Sequence, residues 1–318
     1  MTCHNCQIIA KKFGKDRYGN QRYRCNKCRK TFQEYREKLL GNMYLPEDKA
    51  LLILQMLVEG SSIRSIERIT GIEKNTILSL IRLAGQRCED LTSRYMRKVK
   101  CSDLQFDEIW TYCGMKEKAK KRRGLTSDRL GDAYCFTAFE RDSKLILTWH
   151  LGRRTEQDTA IFIEKVFDAV DGTTNILQIT TDGFPPYPAA IAYSLGTRSS
   201  YAQLVKIYGT PLDAEDLHRY SPSKIKEAIP TPLWGNPNPE RICTSHVERQ
   251  NLNIRTAMRR FTRLTIGFSK KWENLNAALA LYFAYYNFCR IHSSIRCTPT
   301  MEAEITNTVW TMRDLLRG

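Results

Sequence analysis

Three acidic side chains have the surroundings that metal-dependent phosphodiester chemistry requires. Asp107 lies in LQFDEIW, Asp182 follows the apolar run of LQITTDGFPPY, and Glu248 lies in TSHVERQN. Each stands where an apolar strand or helix would deliver it to one edge of a sheet. Carboxylate oxygens are the ligands that Mg²⁺ prefers, and two such ions about 3.5–4 Å apart promote in-line attack on a phosphodiester. The acids therefore predict a site for two Mg²⁺ or Mn²⁺ ions that cleaves DNA.

Each acid, taken alone, also has an ordinary explanation. Asp107 is suited to capping a turn, Asp182 and Gly183 form a common turn dipeptide, and Glu248 is suited to a solvated helix face. Glu108 competes with Asp107 for the first position, because strand alternation sends neighbouring side chains to opposite faces. Only one of the two is expected to point at the metals. The combination of all three acids with DNA-docking segments upstream favours catalysis.

Four cysteines near the N-terminus have the spacing of a structural zinc site. Cys3 and Cys6 form one CxxC step, and after eighteen residues Cys25 and Cys28 form another. Each step places two thiolates on one side of a tight loop, so two steps complete a tetrahedral Zn²⁺ site. About 40 residues with so few apolar side chains need such a metal to hold a fold. We predict a zinc ribbon over residues 1–42 with one structural Zn²⁺.

The next segment, residues 43–98, has three short apolar repeats at helical spacing. The first follows Pro46, the second begins near Ser61, and the third begins near Glu73 after a turn at Gly71. Such helices make a helix-turn-helix, whose last helix enters the DNA major groove. A plain three-helix bundle with a solvated polar face gives the same pattern. The side chains that the third helix would present to DNA are Lys74, Asn75, Thr76, Ser79 and Arg82.

From about residue 100 the periodicity changes to that of strands. Three strands joined by short turns are followed by strands that alternate with helices, which is the order of a ribonuclease-H-like mixed sheet. The chain is therefore predicted to be a mixed α/β protein with a ribonuclease-H-like catalytic domain over residues 99–318. The predicted strands lie at 104–112, 134–139, 145–151, 176–180 and 201–208, and an amphipathic helix lies at 155–170.

A proline-rich stretch interrupts this domain. Residues 210–242 carry six prolines and little periodicity, so an irregular excursion is predicted there. Two helices are expected beyond it. The first carries Glu248, and the second, a very apolar helix from about Leu275 to Tyr286, is expected to pack on the sheet.

Composition narrows the class of protein. The chain has 318 residues, 42% of them hydrophobic, which suffices for one substantial core and one or two small modules. Lys and Arg number 50 against 34 Asp and Glu, and the net charge of +16 favours a polyanionic partner. Residues 1–100 carry 21 basic and 10 acidic side chains, so +11 of this excess lies in the first third. That end is expected to dock on DNA.

Localisation follows from what the sequence contains. No stretch approaches the roughly 20 apolar residues of a membrane span, and no charged-then-apolar leader opens the chain. The seven cysteines outside the CxxC steps are typical of reduced thiols rather than of a disulfide framework. We expect a cytoplasmic, nucleoid-associated protein without membrane contact.

Basic side chains accompany the predicted catalytic residues. Arg255 lies seven residues after Glu248, about two helical turns on, and so on the same helix face. It is expected to contact a DNA phosphate beside the metals, with Arg249 and Arg259 extending the track, although a solvated arginine fits the pattern too. The loop after the first core strand is expected to contact phosphates or to be merely solvated. Its basic run includes Lys120, Lys121 and Arg122.

Together these motifs resemble a DDE transposase of the insertion-sequence-1 type. The likeness covers nearly the whole chain: the CxxC pairs, the helix-turn-helix, FDEIW, TTDG, YAQLVKIYG, SHVERQN and YYNFCRIHSS. SHVERQN and YYNFCR are the most specific of these. By position, the resemblance implies Asp107, Asp182 and Glu248 as the metal-binding triad, with Asp107 preferred to Glu108. It also implies Arg255 as the basic residue that follows the glutamate.

The resemblance further implies a reaction and its partners. These are Mg²⁺-dependent 3′-end cleavage at terminal inverted repeats, strand transfer into double-stranded target DNA, and a homo-oligomer, at least a dimer, that pairs two ends. The 65 residues between Asp182 and Glu248 exceed the spacing in many other DDE enzymes, which matches an insertion or an elongated linker. Two other interpretations stay open: a catalytically inactive DNA-binding regulator, and a metal-dependent nuclease that does not rejoin DNA.

Overall fold

The computed structural model describes residues 1–16, 21–33, 39–172, 176–208, 225–262 and 265–318. The chain divides into two units, residues 1–44 and residues 45–318. The predicted helical segment and the predicted sheet both belong to the second unit. No helix among these described ranges has the length and apolar character needed to cross a bilayer.

The first unit is a small antiparallel sheet beside the four cysteines. It consists of β1 (Lys11–Lys15), β2 (Gln21–Arg24) and β3 (Thr31–Gln33), with β2 in the centre. The sequence YGNQRYRC, residues 18–25, predicts a turn and a short strand ahead of the second cysteine pair. The strand is β2, and residues 18–20 of the predicted turn lie outside the described residues.

Three helices open the second unit: α1 (Glu47–Val58), α2 (Ile63–Thr70) and α3 (Lys74–Tyr95). Gly71 ends α2 in the left-handed conformation, with φ +68°, which glycine adopts without strain. The three predicted helices are thus present, although α3 has 22 residues and extends well past the predicted apolar repeat.

The extra length of α3 packs against the core of the second unit. Its partner is α8 (Trp272–Ala284), the very apolar helix that the sequence predicts. A Cβ built on Gly85 would lie 2.5 Å from the Cα of Ala277, so the two helices approach too closely there for any larger residue. This contact ties the helical segment to the core.

A six-stranded mixed sheet forms that core. The strand order is β6-β5-β4-β7-β8-β9, in which β4 pairs with β7 and β7 with β8 in parallel, and the other pairs are antiparallel. This arrangement is consistent with the predicted ribonuclease-H-like core. The strands are β4 (Asp103–Cys113), β5 (Gly131–Glu140), β6 (Ile146–Gly152), β7 (Leu177–Thr181), β8 (Ser199–Tyr208) and β9 (Ile225–Trp234).

Helices cover both faces of the sheet. On one face Phe106 packs against Phe162 of α5 and Tyr187 of α6, with ring centroids 5.3 and 6.1 Å away. On the other face Trp149 packs against Phe283 of α8, and α7 lies along β4. The other α-helices in the described part of the second unit are α4 (Glu117–Arg122), α5 (Glu156–Ala169), α6 (Pro186–Ser194), α7 (Ser245–Ala257), α9 (Pro299–Glu302) and α10 (Met312–Arg317).

Two local predictions were wrong. The excursion predicted at 210–242 contains a strand, β9, which pairs with β8 at the sheet edge. Pro230 and Pro232 are compatible with that position because an edge strand tolerates residues that donate no ladder hydrogen bond. Residues 210–224 of the predicted excursion lie outside the described residues. The basic loop after the first core strand also differs, since it contains the short helix α4.

Candidate metal centre

Asp107 and Asp182 lie side by side where two parallel strands diverge. The last paired residues of β4 and β7 are Phe106 and Thr181, so both acids follow that pair directly. One carboxylate oxygen each from Asp107, Glu108 and Asp182 lies within 4.8 Å of the others. Two of the three acids predicted from the sequence are therefore together, and Glu108 joins them.

The participation of Glu108 corrects the expectation that only one of the two neighbours could face the metals. Asp107 and Glu108 do point to opposite faces of β4, toward α7 and toward α5 and α6 respectively. Beyond Phe106, however, β7 no longer pairs with β4. Asp182 lies past the end of β7, at this open edge, where carboxylates from either face of β4 can reach it.

The carboxylate of Asp107 is held in a buried position by two N–H donors. Oδ1 accepts from the backbone N–H of Glu108 at 2.8 Å, and Oδ2 accepts from Nδ2 of Asn251 on α7 at 2.8 Å. Burial raises the pKa of Asp107 to about 7, and the nearby charge of Asp182 adds to this rise. Near neutral pH this carboxyl therefore exchanges readily between protonated and anionic forms.

Glu108 is an enclosed member of the cluster, with its side chain 3% exposed. Nε of Arg154 donates to Oε2 at 3.1 Å, and Nη2 of Arg154 lies 3.7 Å from Oδ2 of Asp182. The same guanidinium covers the Phe184 ring at 4.2 Å. The pKa of Glu108 is raised to about 7, mainly by burial and further by the negative charge of Asp182. Arg154 thus partly neutralises a cluster that would otherwise repel itself.

Glu248 occupies the first turn of α7 but lies outside the group of three acids. Its Oε1 accepts from Oγ1 of Thr244 at 2.5 Å and forms an ion pair with Lys206 of β8. Its side chain is 43% exposed. The negative charge of Glu248 still contributes to the raised pKa of Asp107, so the third predicted acid is a neighbour of the cluster.

Side chains of β4 fix α7 over the cluster. Oε1 of Gln105 accepts from the N–H of Val247 at 3.1 Å, which satisfies an otherwise unpaired amide at the start of the helix. Two residues further along β4, Asp107 accepts the hydrogen bond from Nδ2 of Asn251. Beyond it, Oγ1 of Thr111 donates to the carbonyl of Arg260 at 2.9 Å. Alternate residues of one strand thereby determine where the helix lies.

A buried ion-pair network holds the segment that leads into α7. The carboxylate of Asp103, 1% exposed, accepts from Nε of Arg241 at 2.8 Å and lies 3.5 Å from Nη1 of Arg141. Arg241 also reaches Asp142 at 2.6 Å. Removing Arg241 would leave the buried carboxylate of Asp103 only the longer contact with Arg141, so the network restrains the approach to Glu248.

The donor set at the cluster fits a hard divalent cation. Octahedral Mg²⁺ binds oxygens at about 2.0–2.1 Å, so no two of its ligand oxygens are more than about 4.2 Å apart. The three carboxylates, with one oxygen each within 4.8 Å of the others, need only small side-chain shifts to reach one ion. One buried oxygen beside the cluster, Oδ1 of Asn251, has no hydrogen-bond partner within the described part of the chain. Buried oxygens without partners are costly unless a cation or donor completes them. Asp107, Glu108 and Asp182 are therefore able to hold a divalent ion.

The four cysteines of the first unit also meet the requirement for a metal. One sulfur atom from each lies within 4.8 Å of the others, and the sulfurs of Cys3 and Cys28 are 3.6 Å apart. A tetrahedral site with Zn–S bonds of about 2.3 Å separates its sulfurs by about 3.8 Å. The backbone N–H of Cys28 lowers the pKa of the Cys25 thiol to about 7, despite the effect of burial. Cys3, Cys6, Cys25 and Cys28 thus have the arrangement of a Cys₄ site.

The side chains predicted to contact DNA from α3 occupy its N-terminal half. Lys74, Asn75 and Arg82 are exposed, whereas Thr76 and Ser79 are half-buried. The side chain of Arg82 donates to Oγ of Ser79 at 3.0 Å and to Oδ1 of Asn274 on α8 at 3.3 Å. All five are placed at the surface or near it.

The other predicted basic contacts have mixed surroundings. Arg249 and Arg259 are exposed. Arg255 is half-buried, and its Nη1 donates to the carbonyl of Phe261 at 3.0 Å, which orders the turn after α7. On α4, Lys121 and Arg122 are exposed, while Lys120 is half-buried and lies 3.6 Å from Glu117.

Sequence reasoning missed several residues of the centre. Asn251 has the spacing of the buried residues Val247 and Ile254, which conceals it, yet a polar residue three positions after Glu248 shares its helix face and is the available signal. No motif or spacing in the sequence indicates that Arg154 and Lys206 belong to the centre. Their positions depend on how distant elements meet.

No family model matches the chain, and no curated protein matches it. Among solved structures, the chain overlaps a crystal structure of the Mos1 strand transfer complex, with 12% identity over 52% of this chain and 59% of the Mos1 chain, and a TM-score of 0.21. It also overlaps a cryo-EM structure of a piggyBac transposase synaptic complex with hairpin DNA, with 11% identity over 89% of this chain and 73% of that chain, and a TM-score of 0.34. Likenesses this weak carry no conclusion about chemistry, which depends here on the site itself.

Proposed function

We propose that the chain is a DNA transposase of the DDE type that resembles the insertion-sequence-1 class. The observation that carries this proposal is the convergence of Asp107 and Asp182, at the diverging ends of β4 and β7, beneath the helix that bears Glu248. The sequence motifs, the mixed sheet and the net charge of +16 support it.

The chain's own residues perform the positioning. Asp107, Asp182 and Glu248 would hold the divalent ions, and Glu108 adds a carboxylate to the same edge. When bound, Mg²⁺ would supply Lewis acidity for attack by water or a 3′-hydroxyl and for stabilising charge on the leaving oxygen. Asn251 orients Asp107 through its 2.8 Å hydrogen bond. Lys206 releases Glu248 and is then free to contact a phosphate of the DNA.

Further parts of the proposal concern DNA and assembly. Residues 1–42, as a zinc ribbon, and residues 43–98, as a helix-turn-helix, bind terminal inverted repeats. Residues 99–318 cut the 3′ ends and join them to target DNA. A homo-oligomer, at least a dimer, pairs two ends, and the protein acts at the nucleoid in the cytoplasm.

The test uses the purified full chain, labelled duplexes from the DNA flanking each side of its coding sequence, a supercoiled plasmid target and Mg²⁺. Asp182→Asn should bind the duplexes as the wild type does but yield no nicked or joined product. Glu164→Gln, an exposed acid on α5, is the matched control and should retain full activity. Joined products at wild-type level from Asp182→Asn would refute the proposal. Cleaved but never joined DNA from the wild type would identify a nuclease, and binding without cleavage a regulator.

A further inference from the structure

A groove of about 620 Å³ lies between α1–α3 and the segment that connects α7 to α8. Its floor is apolar, with Leu57 of α1, Leu78 of α3 and Phe268 among the lining residues. Within the described ranges no acidic side chain lines it. Its lining includes six cationic side chains: Arg64, Arg68, Lys74, Arg259, Arg260 and Lys270.

Arg260 is the unusual member of this set because its guanidinium is buried and incompletely bonded. Nη1 donates to Oγ of Ser269 at 2.7 Å, whereas the buried Nη2 has no partner among the residues described. Burial lowers the pKa of Arg260 to about 10. A buried cation without a carboxylate costs the folded state several kcal/mol unless an anion completes it.

The cations also repel one another across the groove. After burial, the charge of Arg64 contributes to a lowered pKa at Lys270, whose ammonium lies 3.0 Å from the centre of the Phe268 ring. Like charges held together on an apolar floor favour binding of an anion that relieves both the repulsion and the missing hydrogen bond.

The groove has a defined position relative to the acidic cluster. The carbonyl of Arg260 is bonded to Thr111, which lies four residues beyond Asp107 on the same face of β4. At about 3.3 Å per residue, this separation is roughly 13 Å along the strand.

We propose that this groove binds a backbone phosphate of DNA, with Arg260 as its buried ligand. The inference rests on the proposed function and extends it, since it identifies where the strand held at the acidic cluster is gripped. DNA fits better than a lone phosphate ion, because six cations along one groove exceed what a single anion neutralises. Lys74 and Asn75, at the start of α3, line the same groove.

The test measures binding of a random-sequence 30-base-pair duplex to the full chain across a salt series. Arg260→Gln should weaken binding on the order of tenfold at low salt and reduce the slope of log K against log salt by about one. Arg97→Gln, an exposed arginine outside the groove, should leave both unchanged. Without DNA, Arg260→Gln should unfold at the same or a higher temperature than the wild type, because it removes an unpaired buried charge.

A second variant avoids any risk to folding. Ile266 is 82% exposed and lines the groove, so Ile266→Glu places a carboxylate where the phosphate would bind. It should weaken duplex binding severalfold, whereas Ile266→Gln should not. Unchanged affinity and slope for both Arg260→Gln and Ile266→Glu would overturn the proposal.

Inorganic phosphate separates the two possible sources of the anion. Suppose that phosphate stabilises the wild type but not Arg260→Gln, and that both bind the duplex equally well. The groove would then be a site for a free anion, and the DNA assignment would be overturned. Failure here is distinct from failure of the proposed function. If the chain binds DNA through Arg260 but never cleaves it, the groove proposal stands and the transposase proposal fails. If Arg260→Gln binds and cleaves DNA as the wild type does, the transposase proposal stands and the groove proposal fails.

Discussion

Lys206 on β8 forms an ion pair with Glu248 on α7, so the third predicted acid is bound to a cation of the protein rather than gathered with Asp107 and Asp182. Thr244 donates to the same oxygen of Glu248. A divalent ion that uses Glu248 must therefore compete with an ammonium group. The strength of the ion pair with Lys206 therefore determines how readily Glu248 becomes available to a metal ion.

Removing the competing ammonium should strengthen metal binding. Because Glu248 is partly exposed, we expect Lys206→Gln to lower the Mn²⁺ dissociation constant by about threefold to fivefold. Calorimetric titration of Mn²⁺ into the full chain measures this. Lys226→Gln, an exposed lysine on β9, serves as the control. Equal or weaker Mn²⁺ binding by Lys206→Gln would show that the ion pair does not restrain Glu248.

Stability without divalent metal should decrease as pH rises from about 5 to about 7. The folded-state pKa values of Asp107 and Glu108 are raised to about 7, above the value near 4 of an unfolded chain. Between these values the folded state binds more protons than the unfolded state, so raising the pH favours unfolding, by on the order of 1 kcal/mol per pH unit.

Urea unfolding at several pH values measures this slope. Asp107→Asn should reduce it, because the amide does not titrate, and saturating Mg²⁺ should reduce it in the wild type by binding the anionic forms. A stability that rises between pH 5 and pH 7 in both the wild type and Asp107→Asn would contradict the assignment.

Asn251 should act through Asp107 rather than on the DNA itself. Asn251→Ala removes a donor that lowers the pKa of Asp107, so that carboxyl should stay protonated to higher pH. We expect Mg²⁺-dependent cleavage to fall about tenfold at pH 7, to recover in part at pH 8.5, and DNA affinity to be unchanged. Asn253→Ala, on the same helix, is the control. A pH profile identical to that of the wild type would assign Asn251 a purely structural role.

The cysteine cluster should bind one Zn²⁺ per chain. Metal analysis of the purified protein should find this stoichiometry for the wild type and for Cys297→Ser, whose thiol lies outside the cluster, but not for Cys25→Ser. Loss of the metal should expose residues 1–44 to proteolysis, because their small strands bury little apolar surface. Retention of zinc by Cys25→Ser would show that the metal binds elsewhere.

Local patterns in the sequence were sufficient for most elements of the fold. The central strands are short, almost continuously apolar runs, and several helices repeat apolar residues about every 3.6 positions. The edge strand β9 escaped prediction because its prolines resemble those of a loop. Its ten residues form a strand only because β8 offers a free edge on one side.

The candidate site was less accessible from the sequence. The proximity of Asp107 and Asp182 follows from the order of strands in the predicted sheet. Glu108 joins them because β7 stops at Thr181, a detail that strand alternation does not encode. The pairing of Glu248 with Lys206 and the contact of Arg154 with Glu108 depend on tertiary geometry that no spacing in the sequence expresses.

Anomalous scattering from Mn²⁺, in crystals of the full chain bound to DNA, locates the metal itself. Manganese should be coordinated by carboxylate oxygens of both Asp107 and Asp182, with Glu248 released from Lys206 and turned toward the metal. Manganese bound elsewhere, with Asp107 and Asp182 holding none at saturating concentration, would contradict it.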